Sequence, residues 1–477
     1  MIKSSKTNKD IKEEKKQVKK IKKEKKDYLL LRKKAITIGI ICISIVVIEL
    51  IVMLIMHLVR ESKITYIDAL YHIENVDNSY YIAAGSSNFK HSRYNNTFLY
   101  EYTSEEDKNN VQKIYAEKAK LVKLDKELNI VFESTFKSDY DSCFYDVSKV
   151  EDGFIAVGSY IYDKKQIGLK TRDGLIVKYD LDGKVLWSKN YQVLGDTEFK
   201  DILVVEDGFI VVGQSIYENM EIGNHPDGGG IIVKYDFDGN ILWKNNFGGN
   251  KSGIFESVVQ VSDGYIAGGK DAANYGMLVK FDLEGNRLWV KNYANTDTFG
   301  FTDLKIKDDK LYIASSYNVS DLKDEEDNPI YKYDPCIFIY DLNGELLDKI
   351  TLTGNSDDRF NSLVLLDDKI VTVGYTKSSD FPIDNLKYKK DMAESFIIEF
   401  DYNGKVIKKA VYGGSKNDIL SQVIVAIPDT ANEINKTNDY IAVGYSNSRH
   451  GLFKGNGKDY FAKVLRYSDD LELLIEK

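Results

Sequence analysis

The sequence predicts an all-β fold: a seven-bladed β-propeller of four-stranded blades, preceded by a single transmembrane α-helix. Three observations carry that prediction. A unit of four short strand patterns recurs between Phe144 and Lys477, its internal offsets are constant, and one long apolar run, 35–59, stands apart near the N-terminus. The unit is plainest from Phe199 to Phe247: FKDILVVEDG, then FIVVGQS, a polar loop, IIVKYDFDG and NILWKNNF. It returns as FESVVQVSDG, YIAGGKD, MLVKFDLEG and NRLWVKNY. Repeats of about this size that read as four strands are the mark of a propeller, whose ring removes exposed sheet edges.

The first strand of each copy opens on an aromatic. Phe144, Phe199, Phe255, Phe301 and Phe360 each stand nine residues before a turn's end, at Gly153, Gly208, Gly264, Lys310 and Lys369. The second strand follows and ends on a small residue: Gly158, Gly213, Gly268, Ser315 or Gly374. A looser copy opens at Leu420 and reaches Gly444, and a degenerate one opens near Tyr66 and reaches Gly85, making seven from about Ile64 onward. Asp152-Gly153, Asp207-Gly208 and Asp263-Gly264 join strands one and two, where glycine is expected to supply a positive φ.

Strands three and four meet at Asp180-Leu-Asp-Gly183, Asp236-Phe-Asp-Gly239, Asp282-Leu-Glu-Gly285, Asp341-Leu-Asn-Gly344 and Asp401-Tyr-Asn-Gly404. These resemble the start of a calcium loop, but the closing glutamate of an EF-hand is missing and strand residues follow at once, so turn chemistry is expected. Trp187, Trp243 and Trp289 stand four residues after that glycine, with Asp348 and Lys408 at the same place in copies five and six. One tryptophan per repeat at a fixed place predicts packing between sheets.

The pattern DG-YIxxG, (L/I)xVKxDxxG, xxLWxK resembles the propeller repeats of bacterial surface and secreted proteins. It is also similar to the tryptophan-bearing repeats of quinoprotein-type propellers, and its first turn to that of WD-like repeats. The resemblance covers about 64–477 and implies architecture, with the first strand lining a central channel, rather than chemistry.

The remaining organisation is read from charge and hydropathy. The run 35–59 holds one charge, Glu49, and as a helix would span about 38 Å, enough to cross a hydrocarbon core of about 30 Å. Residues 1–34 carry fifteen Lys and Arg against five Asp and Glu. The positive-inside rule then makes 1–34 a cytoplasmic tail, 60–63 a linker and 64–477 an extracytoplasmic propeller, with lipid contacted through residues 1–59. A charge inside the span makes Glu49 a candidate contact for a membrane partner. The other 443 residues hold 50 basic against 69 acidic side chains, a balance of −19 that argues against nucleic acid. Few prolines and many Lys, Ile, Asn and Tyr suit an AT-rich bacterial genome.

Catalytic patterns are absent. The five histidines, His57, His72, His91, His225 and His450, give no metal-ligand spacing, and the sequence holds no CxxC, HExxH or GxSxG. The three cysteines, Cys42, Cys143 and Cys336, belong to separate parts of the chain, so no disulfide, catalytic residue, metal or cofactor is expected. Connections between strands two and three are long and varied: 86–115, 160–173, 215–229, 316–334, 376–394 and 446–458. They share one face, the expected binding face for protein or glycan. Its candidate contacts are Tyr317, Tyr331, Tyr333, Phe381, Tyr388, Phe453, His225 and Asp227. The expected function is thus a non-enzymatic binding or scaffold module. A structural subunit of a membrane complex, or an enzyme with an unrecognised pocket, are the alternatives.

Overall fold

The computed structural model describes residues 67–87, 118–138, 141–164, 169–191, 196–215, 229–247, 253–293, 298–318, 332–386, 392–428, 438–448 and 461–477. The expected span 35–59 and the tail 1–34 lie outside them; among the described residues no helix is long and apolar enough to cross a membrane. The described strands form seven four-stranded antiparallel sheets, each made of four consecutive strands in sequence order. We number them blades 1–7: 67–135, 142–191, 197–247, 254–292, 298–351, 358–412 and 418–476. The first strands are Ile67–Val76, Ser142–Val150, Thr197–Val205, Ile254–Val261, Thr298–Lys307, Asp358–Leu365 and Asp418–Val425. Each neighbours the next, and the last returns to the first, so the first strands line a closed ring. The fourth strands are the outer edges, which is why residue pairs such as Leu186, Leu242 and Leu347 with their neighbours are exposed.

The core lies between blades. Phe144, Phe199, Phe255, Phe301 and Phe360 are all fully buried. Phe199, Phe255 and Phe301 press on a glycine of the preceding blade's third strand, Gly174, Gly230 and Gly276, where a Cβ would come within 2.6–2.8 Å of the ring. Each such side chain removed from water contributes about 1.5–3 kcal/mol, repeated around the ring. A bulge follows every one of these positions in blades 2, 3, 4 and 6, and the second-strand glycine opposite it meets a backbone carbonyl at once. A Cβ on Gly158, Gly213, Gly374 or Gly444 would lie 1.8–2.0 Å from that oxygen. In blade 4 the residue in this register is Gly269, not the expected Gly268.

The Asp-Gly turns bear out the expected positive φ at Gly208 (156°) and Gly264 (153°), and place the glycine differently from a turn's centre. Val150 pairs with Gly153, so Glu151 and Asp152 form the turn and the glycine already belongs to the strand. Space selects it as well: a Cβ on Gly153, Gly208 or Gly264 would lie 1.8–1.9 Å from the third-strand carbonyl of Tyr179, Tyr235 or Phe281. Blade 5 reaches the same hairpin differently. Asp308 and Asp309 take φ of 51° and 56°, and Lys310 then fits where glycine is otherwise required.

The turns between strands three and four behave as expected. Asp180, Asp236, Asp282, Asp341 and Asp401 each turn a carboxylate oxygen onto their own loop, accepting from the backbone N–H four residues on at 2.7–2.9 Å. Trp187, Trp243 and Trp289 lie over the equivalent turn glycines of the next blade, Gly239, Gly285 and Gly344. They are half-buried, and Phe132 plays the same part over Gly183. Cys143 and Cys336 are buried, in blades 2 and 5. The stretch 160–173, expected as a long loop, is largely a continuation of the hairpin, with pairing out to Lys164 and Leu169.

Candidate functional site

Of the aromatic residues expected at the binding face, three are described. Tyr317 is in the second strand of blade 5, half-buried, with Lys349 Nζ 4.5 Å from its ring centre. Tyr333 opens the third strand of that blade and lies 4.5 Å from Phe299, with the Arg359 guanidinium 5.7 Å away. Phe381 is 3 % exposed and stacks on Phe396 at 5.2 Å within the blade 6 core, beside Ile383 and Phe360. Phe381, expected as a contact at the binding face, is thus a core residue. The segment carrying it is pinned: Asp358 accepts from Thr376 Oγ1 at 2.6 Å and Ser378 Oγ at 2.7 Å, turning the chain inward. Tyr331, Tyr388, Phe453, His225, Asp227 and Glu49 lie outside the described residues.

What the structure does bring together stands on the first strands. Two residues after each strand-opening position comes a polar side chain: His72, Asp146, Asp201, Ser257, Asp303, Ser362 and Gln422 in blades 1 to 7. They form a belt in which one blade's side chain accepts from the backbone of the next. Asp146 accepts from Ile202 N at 2.9 Å, Asp201 from Val258 N at 2.7 Å, and Ser257 from Leu304 N at 3.4 Å. Asp303 takes Leu363 N at 3.0 Å and Ser362 Oγ at 2.8 Å, and Gln422 Oε1 takes Ile73 N at 2.5 Å. At blade 1 the belt passes through an imidazole: His72 Nδ1 is 2.6 Å from Asp146 Oδ1.

Packing carboxylates this way moves their protonation. Burial raises Asp146 to about 6, against the hydrogen bonds it receives from Asp201, Ile202 and Val147. Burial, then the charge and hydrogen bond of Asp146, hold Asp201 well above the usual carboxylate range, so Asp201 carries the proton the pair shares. Burial lowers His72 to about 4. Burial also opposes the Lys305 ammonium, yet Asp303 at 2.8 Å, with Asp201 and Asp146, leaves it raised. Asp146, Asp201 and Asp303 each accept from the next blade's backbone through Oδ2, so the belt's first role is to join blades. A polar residue two places after the strand-opening aromatic of blades 2 to 6 was the signal available in the sequence.

A second cluster lies towards the end of the first strands where the long connections emerge. Glu198 receives Arg172 at 3.0 Å, Lys200 at 3.1 Å and Gln214 at 3.2 Å. Burial opposes its ionisation, but Lys200 and Arg172 outweigh burial and hold it at about 2. Lys200 Nζ is 3.7 Å from the ring centre of Tyr145, which lies 5.5 Å from Tyr71, and Tyr71 is 6.3 Å from Tyr445. Half-buried rings and paired charges from blades 7, 1, 2 and 3 thus meet near one end of the channel. Planar rings beside fixed donors and acceptors suit recognition of sugar or peptide surfaces.

With this geometry the chain is a seven-bladed β-propeller, a rigid class of scaffold that hosts many functions. The sequence matches no family profile and no curated protein. Solved structures similar to it include Sqt1 from Chaetomium thermophilum, at 11 % identity and a TM-score of 0.42, covering 86 % of this chain and 96 % of that one. The β-propeller domain of the Trilobed protease from Pyrococcus furiosus is similar at 11 % identity over 70 % and 97 % of the two chains, TM-score 0.28. The GH43 endo-arabinanase from Bacillus licheniformis is similar at 12 % identity over 55 % and 94 %, TM-score 0.27.

Proposed function

We propose that the chain is a non-enzymatic binding or scaffold module that takes a protein or glycan ligand at the face carrying its long connections. The observation behind this reading is the cluster Tyr71, Tyr145, Tyr445, Lys200, Arg172 and Glu198, contributed by four blades towards that face. In this reading the module is membrane-anchored, with 1–34 cytoplasmic, 35–59 spanning and the propeller outside. The charge asymmetry and the apolar run support that placement. Tyr317 and Tyr333 extend the face on blade 5.

The test is binding of the chain to a glycan array and to a panel of purified surface proteins, repeated with Tyr145→Ala and Lys200→Ala. An aromatic at the heart of a site costs about 2 kcal/mol or more when truncated, a thirtyfold loss of affinity. Loss of a specific partner in both variants, with the unfolding transition retained, supports the reading. Binding that survives both, and is lost instead through Asp182→Ala or Asp238→Ala on the short-turn face, overturns it.

A further inference from the structure

In blades 3 and 6 the residue just before the strand-opening aromatic carries opposite charge. In blade 3 it is Glu198, in register with Gln214 of the second strand; in blade 6 it is Arg359, in register with Tyr375. The two charges differ in what meets them. Glu198 receives Arg172, Lys200 and Gln214. Among the described residues, the Arg359 guanidinium forms no hydrogen bond or ion pair, and its Nε is buried without an acceptor. Asp358, next to it in the strand, spends its oxygens on Thr376 and Ser378. The other described arginines are accounted for: Arg172 and Arg466 meet Glu198 and Asp439 at 3.0 Å, and Arg287 is exposed.

What holds Arg359 is aromatic. Its Cζ is 4.3 Å from the Phe299 ring centre and 5.7 Å from that of Tyr333, and the two rings lie 4.5 Å apart. A second cation, Lys270 at the end of the second strand of blade 4, has Nζ 5.7 Å from the same Phe299 ring. It too forms no ion pair or side-chain hydrogen bond among the described residues. Blades 4, 5 and 6 thus fix two positive charges on one ring with no carboxylate beside them. Stacking on a ring orients a guanidinium but leaves its N–H donors unspent. Two like charges held close raise one another's energy, and an anion between them lowers it.

We propose that Arg359 and Lys270, set on Phe299 and Tyr333, form a subsite for the carboxylate of an acidic sugar. The proposal rests on the reading of the long-connection face as the binding face, and it names what that face takes. The planar fork of an arginine matches a carboxylate with two parallel hydrogen bonds, while Lys270 adds a point charge. The rings supply an apolar wall for the C–H face of a pyranose beside that fork. The acidic balance limits how many carboxylates the ligand carries. Residues 35–477 hold 50 basic against 69 acidic side chains, a field that repels a polyanion and admits a single terminal acid.

The test is an array of matched oligosaccharides presented to the full chain, each pair ending in glucuronate or in glucose. The acidic member should bind about tenfold more tightly. Arg359→Gln should bring the two members level, and Arg359→Lys, which keeps the charge without the fork, should keep part of the preference. Lys270→Gln should lower it by a smaller factor. Tyr145→Ala lies at the other cluster on the face and should weaken both members alike, so the two ideas fail separately. Equal binding of both members by the wild-type chain, or a preference that persists in Arg359→Gln, overturns the subsite while leaving the face. An Arg359-dependent preference with no effect of Tyr145→Ala keeps the subsite and overturns the other cluster. If Arg359→Gln does not fold, an unchanged preference in Lys270→Gln overturns the subsite. Binding of peptides through a free C-terminal carboxylate, with neither sugar bound, overturns the sugar assignment.

Discussion

In blade 3, Lys234 of the third strand reaches Asp207 at the tip of the first turn at 2.7 Å; in blade 6 the signs are reversed, with Glu399 at the place of Lys234 meeting Lys369, which stands at the place of Gly208, at 2.9 Å. Blades 2 and 4 follow blade 3, with Lys178–Asp152 and Lys280–Asp263 both at 2.9 Å. The reversal changes which charge is buried. Asp207 is 63 % exposed, whereas Glu399 is 0 % exposed and is also met by the Tyr440 hydroxyl at 2.8 Å. One pair is a surface clip that water can replace, and the other is an interior charge that only Lys369 and its neighbours make tolerable. Blade 6 also replaces the tryptophan of blades 2–4 with Lys408, which reaches Asp470 of blade 7 at 2.9 Å. The shared fold is therefore held by greasy contacts between blades in one arc of the ring and by charged, partly buried contacts in another.

Breaking the pairs separates the two arcs. Lys369→Met strands Glu399 without its buried partner and should destabilise the domain by about 3–5 kcal/mol in chemical denaturation. An effect no larger than that of the surface pairs would show that Glu399 rehydrates. The next effect is on pH. Burial raises Asp146, Asp358 and Asp418 to about 6. A carboxyl whose folded value exceeds its unfolded one stabilises in full below about 3.8 and loses that contribution as pH rises through about 6. These three carboxyls should therefore lower the unfolding free energy by about 4 kcal/mol between pH 5 and pH 7.5, offset in part by His72, whose lowered value adds stability over the same interval. A rise over that interval contradicts the assignment.

Trp243→Ala comes third. Its ring covers Gly285 and its Nε1–H donates to the Leu283 carbonyl at 3.2 Å, but it is half-buried, so the loss should be about 2 kcal/mol rather than that of a full core truncation. Lys234→Met is the smallest: its stem stays buried and Asp207 stays in water, so equilibrium unfolding should register about 1 kcal/mol or less.

The repeat made the blades legible because the aromatic, the turn and the glycine recur at fixed offsets and each has a steric cause. What escaped was anything depending on which neighbour a side chain meets. Gly153 reads as a turn residue until the Tyr179 carbonyl is seen against it. Phe381 reads as a loop aromatic because nothing local shows that Asp358, 23 residues earlier, ties its segment down onto Phe396. The belt was visible as a polar position in every first strand. Its meaning was not, since the partners of Asp146 and Asp201 are more than 50 residues away in the next blade.

Each blade is also one uninterrupted stretch of sequence, and this has a genetic consequence. A tandem in-frame duplication beginning in any connection between blades copies a whole sheet, with its own inner strand and outer edge. Here repeat number can drift one unit at a time, and every intermediate gene encodes only complete sheets.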